Sequence, residues 1–239
     1  MNRSAEMLVL AGGFGTRLRS AVVDVPKPLA PAGAHPFIYY LIESWIRQGV
    51  CKLTFLLHHQ AKFIEDYLRD LKAEGLLKNC TVQTLTEPQP LGTGGAVAYA
   101  VRQLGLSDSF LVTNADTWLG SGINEIGLGG SPAMAVLRTS TTERYGAVRV
   151  HEGKVVSFQE KQSSQGPGLI NAGLYHLPAA LFQQWAGAPF SLERDVFPGL
   201  VEAGQLRSVE LNTDFIDIGI PEDYYRFCHW IESGRNHKL

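Results

Sequence analysis

The 239 residues are 45% hydrophobic and 18% charged, with a formal net charge of −2, a balance that suits one α/β domain long enough to bury a sizeable core. Lysines and arginines are scattered along the chain, so no basic face is available to release counterions from a polynucleotide, and nucleic acid is not an expected partner. The apolar run Glu6 to Ala11 is too short for a signal segment, and no stretch reaches the ~18 apolar residues that span a bilayer. Cys51, Cys80 and Cys228 lack the spacing of a disulfide framework or a zinc site. A cytoplasmic protein with reduced thiols and no membrane partner is therefore expected.

Met7 to Ala11 is a short apolar run stopped by Gly12 and Gly13, the pattern of a buried strand that ends in a loop. Pro36 opens a helix whose apolar positions Ile38, Leu41, Ile42, Trp45 and Ile46 recur at helical spacing until Gly49. Strands are predicted at Leu53 to Leu57, Thr81 to Leu85 and Phe110 to Thr113, with helices between them at Ala61 to Leu71 and Ala96 to Leu104. This alternation implies parallel strands with right-handed crossovers.

After Asp116 the rhythm changes. A glycine-rich loop from Gly120 to Gly130 precedes short strands near Met134 to Arg138, Gly146 to Val150, Val155 to Phe158 and Leu169 to Tyr175, which read as a mixed, partly antiparallel region. Helices follow near Ala179 to Trp185 and Leu192 to Val201, then a strand at Phe215 to Asp217 and a helix from Pro221 to Ile231.

Chemistry concentrates where strands meet loops. In Leu10-Ala11-Gly12-Gly13-Phe14-Gly15-Thr16-Arg17-Leu18, the glycines let backbone N–H groups turn toward a phosphate. Arg17 and Lys27, the latter inside Pro26-Lys27-Pro28, can neutralise charge developing in phosphoryl-type transfer. Leu18 stands where a dinucleotide fingerprint needs its third glycine, and the Gly-Lys-Ser/Thr of a Walker loop is absent. Asp116 and Asp217 each follow a strand, and two such carboxylates could hold one Mg²⁺. His58 and His59 have no further ligand at metal spacing.

With these motifs on the page, the chain resembles the sugar-phosphate nucleotidylyltransferases from Met7 through Ile218-Gly219-Ile220-Pro221-Glu222-Asp223-Tyr224-Tyr225. The resemblance implies a Rossmann-like α/β fold with a mixed, mainly parallel central sheet flanked by helices and no β-helix extension. It implies a single nucleotidylyltransferase domain over 1–239, with a nucleotide-binding half over 1–118 and a sugar-phosphate-binding half over 119–239, compatible with a homodimer.

For the nucleotide it implies Leu10, Ala11, Gly12, Gly13, Gly15, Thr16, Arg17, Lys27, Glu87, Pro90, Gly92, Thr93, Asn114 and Asp116. Arg17, Lys27 and Asp116 would be catalytic, and Asp116 and Asp217 would bind metal. For the sugar 1-phosphate it implies Tyr145, Gly146, Glu160, Lys161, Asn171, Gly173 and Glu193. Ala115 departs from the glycine usual before the first aspartate. A carboxylate at Glu87 suits the N1–H and amino donors of guanine better than the acceptor-rich edge of uracil. GTP is thus the expected nucleotide, and members that guanylylate a heptose 1-phosphate for bacterial surface polysaccharides are the most similar in motif. A mannose 1-phosphate guanylyltransferase, a uridylyltransferase acting on a hexosamine or muramic acid phosphate, and a non-catalytic nucleotide-sugar-binding module stand as alternatives.

Overall fold

In a computed structural model of the chain, the described residues are 6–159 and 166–234. The elements run β1 (Met7–Leu10), β2 (Pro31–Ala32), β3 (His35–Pro36), α1 (Phe37–Arg47), β4 (Lys52–Leu57), α2 (Ala61–Glu74), β5 (Thr81–Thr86), α3 (Gly92–Leu104) and β6 (Ser109–Asn114). They continue as β7 (Thr117–Leu119), α4 (Ile123–Leu128), β8 (Ala133–Thr139), β9 (Ala147–His151), β10 (Lys154–Gln159), β11 (Gly168–Pro178), α5 (Phe197–Glu202), β12 (Arg207–Leu211), β13 (Phe215–Asp217) and α6 (Pro221–Glu232). Among the described residues, no helix is long and apolar enough to cross a membrane.

Two compact units divide the chain. A terminal unit gathers the residues up to Pro88, Asn114–Ser121 and those from Asp214 onward; an inserted unit holds Gln89–Thr113 and Gly122–Thr213. The units therefore interleave along the chain.

In the terminal unit β1, β4 and β5 are parallel and in register, Leu8 opposite Thr54 and Thr54 opposite Gln83. β4 is buried at every position from Leu53 to Leu57, which is why it reads as a nearly continuous apolar run, broken by Thr54, rather than an alternating one. α1 follows Pro36, whose fixed φ and missing N–H suit a helix entry. Its face of Phe37, Ile38, Leu41 and Ile42 is fully buried. The Phe37 and Phe227 rings meet edge to face at 4.7 Å, and Trp118 and Trp230 lie 4.8 Å apart, so aromatic packing ties α1 and β7 to α6.

In the inserted unit, β11 is antiparallel to β6, β8 and β9, and β10 is antiparallel to β9 and β12, while β8 and β12 run parallel. The expectation of a mainly parallel sheet is corrected here: the fold is mixed α/β, with parallel pairing in one unit and largely antiparallel pairing in the other. Strands joined by short turns, as β9 and β10 are at Glu152–Gly153, have no room for the crossover that parallel pairing requires.

Four local expectations also change. The glycine-rich segment after Gly120 contains α4, because Ile123 and Ile126 are three apart and both buried. The predicted helix at Ala179 to Trp185 is a 3₁₀ turn over Ala179–Phe182. The predicted helix at Leu192 to Val201 begins as a π turn over Leu192–Val196 and becomes α5 at Phe197, where Pro198 has no N–H to continue the ladder. β12 escapes notice because Arg207, Ser208 and Glu210 mask its apolar alternation.

α3 starts at Gly92, earlier than expected, and the start is set by Phe190. The Phe190 carbonyl accepts from the N–H groups of Gly94 at 3.0 Å and Gly95 at 3.2 Å, satisfying two helix-terminal donors. Gly92 has φ +73, and a Cβ there would lie 2.6 Å from that same carbonyl oxygen. Gly92→Ala is therefore expected to lower stability by about 1–3 kcal/mol or more, read as a fall in the urea midpoint. An unchanged midpoint would contradict this packing.

Candidate active site

The loop after β1 and the segment around Lys27 border one cavity of about 350 Å³ in the terminal unit, lined by Leu10, Ala11, Gly13, Phe14, Gly15, Thr16, Arg17, Lys27, Pro28, Ala115, Asp116 and Gly219. Gly15 adopts φ 59, caps the 3₁₀ turn Thr16–Leu18, and sits so close that a Cβ would be 3.3 Å from that of Lys27. This left-handed residue turns the chain so that Thr16 and Arg17 enter the cavity wall together. Pro26 and Pro28 flank Lys27 at the start of a second 3₁₀ turn, Lys27–Leu29, which limits the backbone freedom of the lysine.

Lys27 Nζ donates to Asp116 Oδ2 at 2.7 Å and lies 3.6 Å from Asp217 Oδ1, with only 11% of the lysine side chain exposed. Each carboxylate has a second support. Thr117 Oγ1 donates to Asp116 Oδ1 at 3.2 Å, and the Gly219 N–H donates to Asp217 Oδ1 at 2.6 Å. The aspartates are brought together by β7 and β13, which pair antiparallel with Asp217 opposite Thr117, and by the Ile218 N–H donating to the Asp116 carbonyl.

Burial alone would raise the Asp116 carboxyl, but the Lys27 ammonium outweighs it and holds the group below the usual carboxylate range. Asp217 moves the other way: burial first, and the neighbouring Asp116 charge second, push it up against the pull of Lys27 and Arg17. One ammonium thus compensates two carboxylates incompletely. Among the described residues no three His, Cys, Asp or Glu side chains converge on a metal position. The aspartate pair nevertheless suits Mg²⁺, a hard cation that takes one or two carboxylates and completes its shell with water and substrate phosphate oxygens.

The remaining candidates fall in two groups. Glu87 is buried in the terminal unit, and its Oε1 is 3.4 Å from where a Cβ of Gly12 would be; Asn114 ends β6. In the inserted unit, Pro90 precedes α3, which Gly92 and Thr93 open. Thr93 Oγ1 donates to Glu193 Oε2 at 2.7 Å and accepts from the Leu192 N–H at 2.9 Å, while Ser191 Oγ donates to the same Glu193 oxygen at 2.8 Å. Thr93 and Glu193, drawn by resemblance to different substrates, are therefore direct partners.

Asn171 sits where the β11–β8 register shifts; its Nδ2 donates to Tyr175 Oη at 2.8 Å and its Oδ1 accepts from the Gly173 N–H at 3.0 Å. Gly146 joins it, its carbonyl accepting from the Asn171 N–H at 2.9 Å. Beside them the Arg144 guanidinium lies 5.5 Å from the centre of the Tyr145 ring. Glu160 and Lys161 lie outside the described residues.

The sequence reading left out Thr117 and Gly219, which orient the two aspartates; their signal is position alone, immediately after Asp116 and two residues after Asp217. It also left out the contact of Phe14 with His59, whose rings are 5.0 Å apart.

Because the folded state disfavours a charged Asp217, the contribution of this group to stability falls as pH rises from the unfolded carboxylate value near ~3.9 through the raised folded value. Asp217→Asn removes that loss. The variant should match or trail wild type at the acid end and gain thermal stability over it as pH rises toward neutrality, measured as melting temperature against pH. A wild-type advantage that grows toward neutral pH would contradict this balance of charges.

Comparison with known proteins gives the family. Residues 6–233 match the nucleotidyl transferase family. The chain is similar to a D-glycero-alpha-D-manno-heptose 1-phosphate guanylyltransferase of Campylobacter jejuni, 33% identical over 93% of this chain and 98% of that one. A probable mannose-1-phosphate guanylyltransferase of Oryza sativa is also 33% identical, over 91% of this chain but 62% of its own length. Among solved structures, HddC from Yersinia pseudotuberculosis superposes with a TM-score of 0.83 at 34% identity, covering 95% of this chain and 100% of that one. The same protein has been solved in complex with GMP-PN, with a TM-score of 0.81. The chain belongs to the nucleotidyl transferase family and is a nucleotidyltransferase.

Proposed function

We propose that the protein is a sugar-1-phosphate guanylyltransferase that joins GTP to D-glycero-alpha-D-manno-heptose 1-phosphate, releasing pyrophosphate and a GDP-heptose for bacterial surface polysaccharide. The observation that carries the reading is the Lys27 ammonium held between Asp116 and Asp217 on the wall of the cavity that Arg17 and the glycine loop border. The heptose substrate draws support from the relative in Campylobacter, which the chain matches over nearly its full length. Mannose 1-phosphate is the second reading, favoured by the rice relative at equal identity.

In the proposed reaction a phosphate oxygen of the sugar 1-phosphate attacks the α-phosphorus of GTP in line, the bond to the bridging oxygen breaks, and pyrophosphate leaves with the electron pair. The N–H groups of Gly13 to Thr16 and the Arg17 guanidinium hold phosphate oxygens, and Lys27 neutralises charge at the α-phosphate. Leu10, Ala11, Gly12, Glu87 and Asn114 serve the nucleoside, with Glu87 accepting from guanine. Asp116 and Asp217 would hold Mg²⁺, which when bound supplies electrophilic charge to phosphate oxygens.

We assign the sugar 1-phosphate to Tyr145, Gly146, Glu160, Lys161, Asn171, Gly173 and Glu193. The Thr93 and Glu193 side chains already bond each other, so with Pro90 and Gly92 their part is to hold the shape of that region as well as to touch ligand. No covalent enzyme intermediate is needed.

Pyrophosphate release measured with GTP or UTP against heptose, mannose and hexosamine 1-phosphates is expected to be fastest with GTP and the manno-heptose phosphate. Faster turnover with UTP would overturn the nucleotide assignment, and faster turnover with mannose 1-phosphate would select the second reading. Arg17→Ala should lower kcat by about 10²–10³, whereas Lys161→Ala should chiefly raise the KM for sugar phosphate. Wild-type kinetics in Arg17→Ala would remove the central role of the loop.

A further inference from the structure

A second cavity of about 330 Å³ adjoins the first in the terminal unit and shares Phe14, Gly15 and Lys27 with it. The 3₁₀ turn Thr16–Leu18 separates two guanidinium-bearing residues: Arg17 borders only the first cavity and Arg19 only the second. Arg19 is exposed; its backbone N–H donates to the Thr16 carbonyl, while its guanidinium makes no hydrogen bond or ion pair among the described residues. The other ionisable groups facing this cavity are Asp24, Lys27 and His59. Its walls are otherwise apolar, from Leu18 and the valines between residues 22 and 25, with Phe14 half exposed.

The walls are built rather than incidental. Gln60 and Asp24, two non-glycine residues in the left-handed region with φ 55 and φ 68, both line this cavity. Such backbone is retained where surrounding structure imposes it, and it concentrates at ligand clamps.

The charge count asks for a further cation. Lys27 is already shared between two carboxylates, so its ammonium is largely compensated before any ligand arrives. A triphosphate undergoing attack at its α-phosphorus develops negative charge on the departing pyrophosphate, and besides Lys27 the basic side chain bordering the first cavity is Arg17. Arg19 supplies an uncompensated, permanently charged fork two residues further on, bordering the space adjacent to the loop.

We propose that the second cavity receives the leaving pyrophosphate and that Arg19 is its principal ligand there. The inference rests on the nucleotidyl-transfer reading above. Asp24 sets the direction of traffic: a carboxylate at the rim opposes retention of an anion, so the site holds pyrophosphate briefly rather than trapping it.

The test separates the two readings. Isothermal titration of pyrophosphate with Mg²⁺ into wild-type protein and Arg19→Gln reads the subsite without any turnover. The reverse reaction, pyrophosphate plus nucleotide sugar, reads it kinetically. Arg19→Gln is expected to weaken pyrophosphate binding and raise its KM in the reverse direction by about tenfold or more. The KM for sugar 1-phosphate should stay at the wild-type value, and Arg19→Lys should recover part of the loss. Unchanged pyrophosphate binding in Arg19→Gln overturns the proposal even if the enzyme turns over GTP normally. Equal loss of affinity for both pyrophosphate and sugar phosphate overturns it too, because it would mark Arg19 as structural. Absence of turnover with every nucleotide and sugar phosphate, alongside Arg19-dependent pyrophosphate binding, would instead count against the reaction and keep the anion subsite.

Discussion

A single ammonium holds three separate stretches of chain in one place. The terminal unit is assembled from the residues up to Pro88, Asn114–Ser121 and those from Asp214 onward, and Lys27, Asp116 and Asp217 come one from each. The β7–β13 ladder and the Gly219 and Thr117 hydrogen bonds then fix where each carboxylate points. Setting two partly buried carboxylates against one lysine is costly where water is partly excluded. The opposite displacements of the two aspartates express that cost directly: one is held ionised, and the other resists ionisation. A site in this condition favours any added cation that shares the excess negative charge, which is the electrostatic argument for a divalent ion at this pair.

Much of the candidate site was legible because its turns and buried charges require particular residues. Gly15 must take a left-handed turn, Lys27 sits between prolines, and both aspartates stand after apolar strands; each of these leaves a local mark in the sequence. The fold of the terminal unit was legible for a similar reason, since parallel buried strands such as Leu53 to Leu57 read as mostly apolar runs.

The inserted unit was harder to read. Its strands pair antiparallel across long stretches of sequence, and that choice is made by tertiary pairing rather than by local propensity. α4 lay hidden among glycines, and Pro198 split a helix that periodicity alone would have run through. The glycines of the Gly92-Thr93-Gly94-Gly95 run suggested a ligand cradle. The N–H groups of Gly94 and Gly95 also serve the Phe190 carbonyl, the missing Cβ of Gly92 and Gly94 makes room for Phe190, and Thr93 and Ser191 share the Glu193 carboxylate. Nothing in a single sequence shows that residues a hundred apart share a carboxylate.

The account stands on Lys27 as the cation that serves both aspartates and the reacting phosphate. The most direct measurement is phosphorus NMR of GTP and sugar 1-phosphate with Mg²⁺, comparing wild type with Lys27→Met that retains a cooperative melt. The account predicts that wild type converts the pair stoichiometrically to nucleotide sugar and pyrophosphate, while Lys27→Met forms neither at a detectable rate. Product formation by Lys27→Met at the wild-type rate would contradict it.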